Sequence, residues 1–334
     1  MKIVMPELDT LTRGDVDVSG FSAHGELKVV PYEEWATLPE ELADAEVLFV
    51  NKTLVTPELL RKADNLRYIG ECATGYNNID LEYCNTHGIT VTNVPAYSTQ
   101  AVAQHVFAFL LDHYSRVHEY NDFVRTGEWT RSHTFSRFDL DTEELAGKTI
   151  GLIGFGQIGK QVARIARAFD MDVVAYSRSR CEGLNPGEEA FGFGTEDEGV
   201  RFLPLSDLLA TAEIVSIHCP LNEESEGLFD TATFARMREG AFLINTARGP
   251  IVNEAALLSA LQSGRLSGAA VDVLETEPMR EDCVLPQTER CLITPHVAWA
   301  PRSTRQRLID LAVGNLEAFL QGTPVNVVND PDLH

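Results

Sequence analysis

The segment Thr149–Gly159, TIGLIGFGQIG, constrains the fold of this chain more than any other. An apolar run passes straight into Gly154, Gly156 and Gly159, and these open the helical pattern KQVARIARAF. The result is G-x-G-x-x-G between a strand and a helix, the context in which that pattern has a mechanism. The first glycine permits a tight turn, the second lets the backbone approach a pyrophosphate, and the third lets helix and strand pack closely. A dinucleotide phosphate then rests on the helix N-terminus, where unpaired amides and the macrodipole favour negative charge. Phe155, Gln157 and Ile158 lie inside the fingerprint and join the three glycines as candidate cofactor contacts.

The rest of the chain is organised around this unit. Its 334 residues give a length prior of about two domains. Short β-branched runs alternate with helical patterns from the start, with expected strands at Lys2–Met5, Leu27–Val30, Val47–Val50, Arg67–Gly70 and Thr90–Thr92. Thr56 and Pro57 read as the cap and first residue of a helix over Pro57–Ala63. A second series has expected strands at Thr149–Ile153, Asp172–Tyr176, Ile214–His218, Ala241–Asn245, Gly268–Val273 and Leu292–Thr294. Two alternating series predict two doubly wound α/β domains with parallel sheets. Between them the pattern predicts one long helix from Ser98 to about Arg125, then a loop containing Trp129, Arg131, Phe135, Arg137 and Phe138. A last helix is expected from Arg302 to Leu320, after which Thr323–Asn329 returns to the first domain. The segment Gly183–Gly199 reads as an exposed loop.

The end of the strand after the fingerprint decides between two nicotinamide cofactors. An NAD site places Asp or Glu there for the ribose 2′-hydroxyl. This chain reads VVAYSRSR, with Ser177 at that place, followed by Arg178, Ser179 and Arg180. No carboxylate repels a 2′-phosphate, and two guanidiniums can pair with one. The expectation is NADP(H), with NAD as the alternative.

Three further segments place polar residues where such a sheet delivers its strand ends: INTARGPIV with Arg248, VDVLETEP with Glu277 and ITPHVAWAP with His296. Each projects into the crevice at the carboxyl edge. A formal net charge of −23 argues against nucleic-acid and membrane partners, because so acidic a surface repels phosphate backbones and anionic lipids. The six cysteines carry no metal-ligand spacing and suit a reducing cytoplasm. No metal is called for, and the N-terminus reads as a first strand rather than a signal peptide.

These motifs carry a resemblance. With ATGYNNID (Ala73–Asp80), VTNVPAYSTQAVAQHVFAFLL (Val91–Leu111), GEW (Gly127–Trp129), NTARGPIVNE, DVLETEP and HVAWAP, the chain resembles the D-isomer-specific 2-hydroxyacid dehydrogenase family over essentially its whole length. Within that family it is most similar to hydroxypyruvate reductases (glycerate dehydrogenases) and glyoxylate reductases. The resemblance implies a Rossmann cofactor domain over 100–299, inserted into a discontinuous flavodoxin-like substrate domain over 1–99 and 300–334. It also implies a homodimer with 100–147 as dimerisation arm. Arg248, Glu277 and His296 would be catalytic. Pro220, Thr246, Ala247, Arg248 and Asp272 would complete the cofactor site, and Asn51, Ala73, Thr74, Gly75 and Tyr76 would join Arg248 and His296 at the substrate.

The residue types fit that chemistry on their own account. Reducing a 2-oxoacid requires a proton for the carbonyl oxygen and a cation for the carboxylate. Imidazole titrates near working pH, so His296 is the expected acid and Glu277 its orienting carboxylate. The planar fork of Arg248 suits a carboxylate. The resemblance to glyoxylate and hydroxypyruvate reductases further implies that Tyr76 lines a small polar pocket. Two other readings compete: a dehydrogenase for bulkier 2-oxoacids, and a nucleotide-sensing corepressor-like binding protein on the same fold.

Overall fold

The computed structural model describes residues 1–192 and 199–330. The chain divides into two compact units, Met1–Ser98 with the chain from Trp299 onward, and Thr99–Ala298.

The first unit builds a parallel sheet from β1 (Lys2–Pro6), β2 (Glu26–Val30), β3 (Val47–Val50), β4 (Tyr68–Glu71) and β5 (Thr90–Thr92). Among the described residues their order is β2-β1-β3-β4-β5, the flavodoxin-like winding. The inner strands β3 and β4 are buried on both faces, as a continuous apolar run such as VLFV dictates. Val4, Leu48, Ile69 and Val91 pack on one side, and Ile3, Met5, Phe49 and Tyr68 on the other. The second face is closed by the helix Arg302–Leu320, through Leu308, Ile309, Ala312 and Leu316. Each fully buried side chain of this size contributes about 1.5–3 kcal/mol, so the helix belongs to this core although it comes last in sequence. The tail follows it: Val328 donates its N–H to Val91 O, and the Asn329 side chain accepts from Val91 N.

The second unit carries β6 (Thr149–Ile153), β7 (Asp172–Tyr176), β8 (Ala190–Phe191), β9 (Val200–Phe202), β10 (Ile214–Ile217), β11 (Ala241–Asn245), β12 (Leu266–Val271) and β13 (Cys291–Ile293). Their order is β13-β12-β11-β10-β6-β7-β9-β8, parallel apart from β8. Alternation along β11 sends Leu243 to one face and Phe242 and Ile244 to the other.

Two expectations need correction. The helix predicted over Ser98–Arg125 is two helices, Thr99–Ser115 and Val117–Arg125. The break is Arg116 in a left-handed conformation (φ 49°), held by a two-point pair with Glu119 at 2.6 and 2.8 Å. Within Gly183–Gly199, residues 193–198 lie outside the described residues. The part before them contains β8, which pairs antiparallel with β9, a strand that periodicity missed because both are only two or three residues long.

Most of the apolar surface of the helix Thr99–Ser115 is used within its own unit. Val106, Phe107, Phe109 and Leu110 are buried in the core that also takes Val162, Ala163 and Ala166. What remains exposed is the helix after it and the following loop, where Phe135 and Phe138 are 92% and 89% exposed.

Candidate active site

The dinucleotide cradle is built at the carboxyl ends of β6, β10 and β11. Gly154 has a φ of +97°, and a Cβ there would sit 2.6 Å from the amide nitrogen of Cys219. Only glycine therefore lets the first turn lie against the β10 strand end. A Cβ on Gly156 would meet open space, leaving the backbone approachable, whereas one on Gly159 would lie 2.4 Å from Gly154 O. The helix Gln157–Ala168 starts at that point. The Thr246 hydroxyl, after β11, is buried with no hydrogen-bond partner. An orphaned polar atom beside this cradle fits a bound dinucleotide. His218 was not anticipated: its backbone carbon lies under Gly154, and its Nε2 is 2.9 Å from Ser216 Oγ. Burial pushes its pKa down to about 3, so the ring is neutral. The signal available was the SIHCP run at a strand end, with Pro220 exposed beyond it.

At the end of β7, Ser177 precedes the short helix Arg178–Cys181, and its hydroxyl lies 3.4 Å from that of Ser179. Arg178 is exposed and pairs with Glu224 at 2.7 Å. Arg180 lies over the Phe202 ring, 4.9 Å from its centroid.

Arg248, Glu277 and His296 follow three neighbouring strands, β11, β12 and β13. Asn245 shapes the first of these turns. Its Oδ1 accepts from Ala247 N at 3.0 Å and its Nδ2 donates to Arg248 O at 2.9 Å, the local pairing for which Asn suits turns. One Arg248 N–H goes to Ala247 O at 2.7 Å, which leaves most of its five donors for another partner. Glu277 accepts the Leu274 amide at 3.0 Å through Oε1, while Oε2 lies 2.7 Å from His296 Nδ1. Both side chains remain partly open to solvent. His296 is itself left-handed (φ 54°), held by N–H bonds to Asp272 O and Thr294 O.

Asp272 serves this loop directly. It is 1% exposed, and its carboxylate accepts from the Thr294 hydroxyl and from Val297 and Ala298 N–H at 2.5, 2.8 and 2.8 Å. Its side chain thereby shapes the turn that carries His296.

In the first unit, Ala73, Thr74, Gly75 and Tyr76 form the loop after β4. Val94 N binds Ala73 O at 2.9 Å, Thr74 Oγ1 binds Val94 O at 3.0 Å and Asn93 Nδ2 binds Thr74 O at 2.7 Å. Thr74 and Tyr76 face solvent. Asn51, after β3, is buried, with its Nδ2 donating to Thr10 Oγ1 at 2.9 Å.

Residues 107–298 match the family described as D-isomer specific 2-hydroxyacid dehydrogenase, NAD binding domain. The chain belongs to the D-isomer-specific 2-hydroxyacid dehydrogenase family. It is 38% identical over 332 residues to a hydroxypyruvate reductase of Blautia hydrogenotrophica, covering 98% of this chain and 100% of that one. An acyclic imino acid reductase in complex with NADPH and D-Arg superposes with a TM-score of 0.81 at 31% identity, over 98% of this chain and 100% of the other. D-lactate dehydrogenase from Aquifex aeolicus, complexed with NAD and lactic acid, gives 0.80 at 29% identity over 98% of each chain. As a member of this family the chain is an oxidoreductase that binds a nicotinamide cofactor and reduces a 2-oxoacid to the D-2-hydroxyacid by hydride transfer. The corepressor-like reading gives way to that assignment. No helix among the described residues is long and apolar enough to cross a membrane.

Proposed function

We propose that the chain reduces a small 2-oxoacid, hydroxypyruvate or glyoxylate, using NADPH in preference to NADH. The reduction itself is carried by the 2.7 Å contact between His296 Nδ1 and Glu277 Oε2, beside the strand end that presents Arg248. The NADPH preference is supported by Ser177 and Arg178 standing at the end of β7 without a carboxylate. Glu277 accepts a hydrogen bond from Nδ1–H, which leaves Nε2 to carry the transferable proton. His296 gives that proton to the carbonyl oxygen, and the carboxylate beside it holds the ring in the orientation that delivers it. Arg248 holds the substrate carboxylate through its planar fork. The nicotinamide, when bound, supplies the hydride. Gly154 to Gly159, with Phe155, Gln157 and Ile158, would hold its pyrophosphate, Thr246 and Ala247 the nearer part, and Ser177, Arg178 and Ser179 the adenosine end.

The small-substrate reading is supported by Tyr76 at the rim of the substrate loop and by likeness to a hydroxypyruvate reductase. Oxidation of NADPH and NADH should be followed against glyoxylate, hydroxypyruvate, pyruvate and phenylpyruvate. Highest kcat/KM is expected with hydroxypyruvate or glyoxylate. A clear preference for phenylpyruvate would move the assignment to bulkier 2-oxoacids.

A further inference from the structure

Three consecutive backbone amides after β3, those of Asn51, Lys52 and Thr53, converge on one atom, Oε1 of Glu7. They donate at 3.2, 2.9 and 2.6 Å, and the Thr53 hydroxyl adds a fourth bond at 2.6 Å. Successive amides arranged this way form a nest, a concavity that binds anions. Here the chain supplies the anion. Glu7, just after β1, is 3% exposed and holds a left-handed φ of 56° without being glycine. A buried carboxylate persists only where it is hydrogen-bonded, and a strained residue held this firmly directs attention to function.

The network continues to the next strand end. Asn78 Nδ2 donates to Thr53 O at 3.0 Å and to Glu71 Oε2 at 2.9 Å. Glu71 and Asn78 flank the loop Ala73–Tyr76, so one chain of bonds ties both loops to Glu7.

We infer that Glu7 is a positioning residue for 2-oxoacid reduction, setting through Thr53 and Asn78 the two loops, 51–53 and 73–78, that present the substrate contacts of the first unit. This rests on the reading of Asn51 and Ala73–Tyr76 as substrate contacts. One consequence is chemical: the amides of 51–53 already serve an internal anion, so the substrate carboxylate is held by other groups. Another is kinetic. The network lies within the first unit, so its loss raises KM for the oxoacid and leaves cofactor affinity alone.

The test uses the full chain, with KM and kcat for hydroxypyruvate and glyoxylate and NADPH affinity by fluorescence. Glu7→Ala is expected to raise KM at least about tenfold, more than it lowers kcat, with cofactor Kd changed less than about twofold. Glu7→Gln keeps an acceptor at Oε1 and should restore KM to within about threefold of the native value. An unchanged KM in Glu7→Ala overturns the inference, as does a proportional loss of cofactor affinity. Should Glu7→Ala fail to fold, Thr53→Val decides: a KM raised about threefold or more supports the inference, and an unchanged KM overturns it. Asn51→Ala separates the two levels. If it raises KM while a folded Glu7→Ala does not, the inference alone fails. If it leaves KM unchanged, the substrate-loop reading falls and the inference with it.

Discussion

Gly249 and Leu274 meet backbone to backbone: a Cβ on Gly249 would lie 1.7 Å from the Leu274 carbonyl oxygen and 2.6 Å from the Glu275 nitrogen. Neither neighbour is a flexible side-chain end, so nothing can give cheaply. The contact locks the Arg248 turn to the loop that leads into Glu277, and the Leu274 amide on that loop grips the Glu277 carboxylate. Glu254 and Glu275 add a second lock, each accepting the other's backbone N–H at 2.7 Å. Gly249→Ala should therefore separate Arg248 from Glu277. A displacement near 1 Å costs about a hundredfold in rate, and overpacking about 1–3 kcal/mol in stability. Steady-state kinetics with a denaturation curve checks both, and native kcat/KM in the variant would break the argument.

The His296–Glu277 pair makes a separate prediction about proton delivery. His296→Ala should lower kcat by at least about a hundredfold with little change in cofactor affinity. Glu277→Gln keeps an acceptor for Nδ1 but removes the negative charge beside the ring, so kcat should fall at least about tenfold. Near-native turnover in His296→Ala would remove this residue from the mechanism.

Apart from the short β8 and β9, the strands of the second unit were legible because their apolar runs are bounded by turn residues, and Asp172–Tyr176 and Ala241–Asn245 fall where the pattern puts them. The fingerprint was legible because Gly154 and Gly159 each have a steric reason, while Gly156 leaves its backbone open to approach. Arg116 was not. A left-handed arginine has no sequence signature, and its Glu119 partner sits at a spacing that equally suits a continuous helix. The bonds of Asp272 were not legible, because they run from a strand end to Val297 and Ala298, 25 and 26 residues on. Glu7 was invisible for the same reason, since its amide partners lie 44 to 46 residues away.

Acid should destabilise the fold before carboxylates begin to titrate. Burial holds the His218 pKa near 3 and lowers that of His113, which stacks on Phe242 at 4.1 Å. In the unfolded chain both rings take a proton near pH 6.5. Below that pH the unfolded state binds more protons than the folded one, so stability present above about pH 6.5 is lost as pH falls towards the folded pKa. Because both rings keep some solvent access, the loss should be about 1–2 kcal/mol between pH 7 and 5. Denaturant melts across that range, with His218→Gln as control, test the point; the variant should give the flatter curve.

Assembly follows from what the second unit leaves uncovered. The helix Val117–Arg125 buries no residue in its own chain, and Phe135, Phe138, Val117 and Trp129 stand exposed near it. Apolar surface concentrated in this way is normally covered, and a twofold interface through residues 100–147 is the expected cover. Sedimentation at micromolar concentration should give a dimer, and Phe135→Ser with Phe138→Ser should shift it towards monomer. A native chain that sediments as a monomer would leave these rings without an explanation.

Cofactor choice turns on the competition for Arg178. Its guanidinium pairs with Glu224 at 2.7 Å, and both side chains are largely exposed. A surface pair of this kind is worth about 0–1 kcal/mol, whereas a charge-assisted bond to a phosphate is worth about 1.5–3 kcal/mol. On these magnitudes a 2′-phosphate should win the arginine from Glu224, with the Ser177 and Ser179 hydroxyls as neutral donors where a carboxylate would repel it. NADPH should exceed NADH by at least about tenfold in kcat/KM. Glu224→Ala frees the guanidinium and should widen that ratio by roughly twofold to fivefold, the equivalent of the surface pair it removes. Ser177→Asp with Arg178→Leu should reverse the order, since the new carboxylate accepts from a ribose 2′-hydroxyl and the clamp is gone. Measured with both cofactors at one saturating concentration of hydroxypyruvate, equal efficiencies in the native chain, or a ratio unmoved by Glu224→Ala, would mean that Arg178 takes no part in reading the 2′-position.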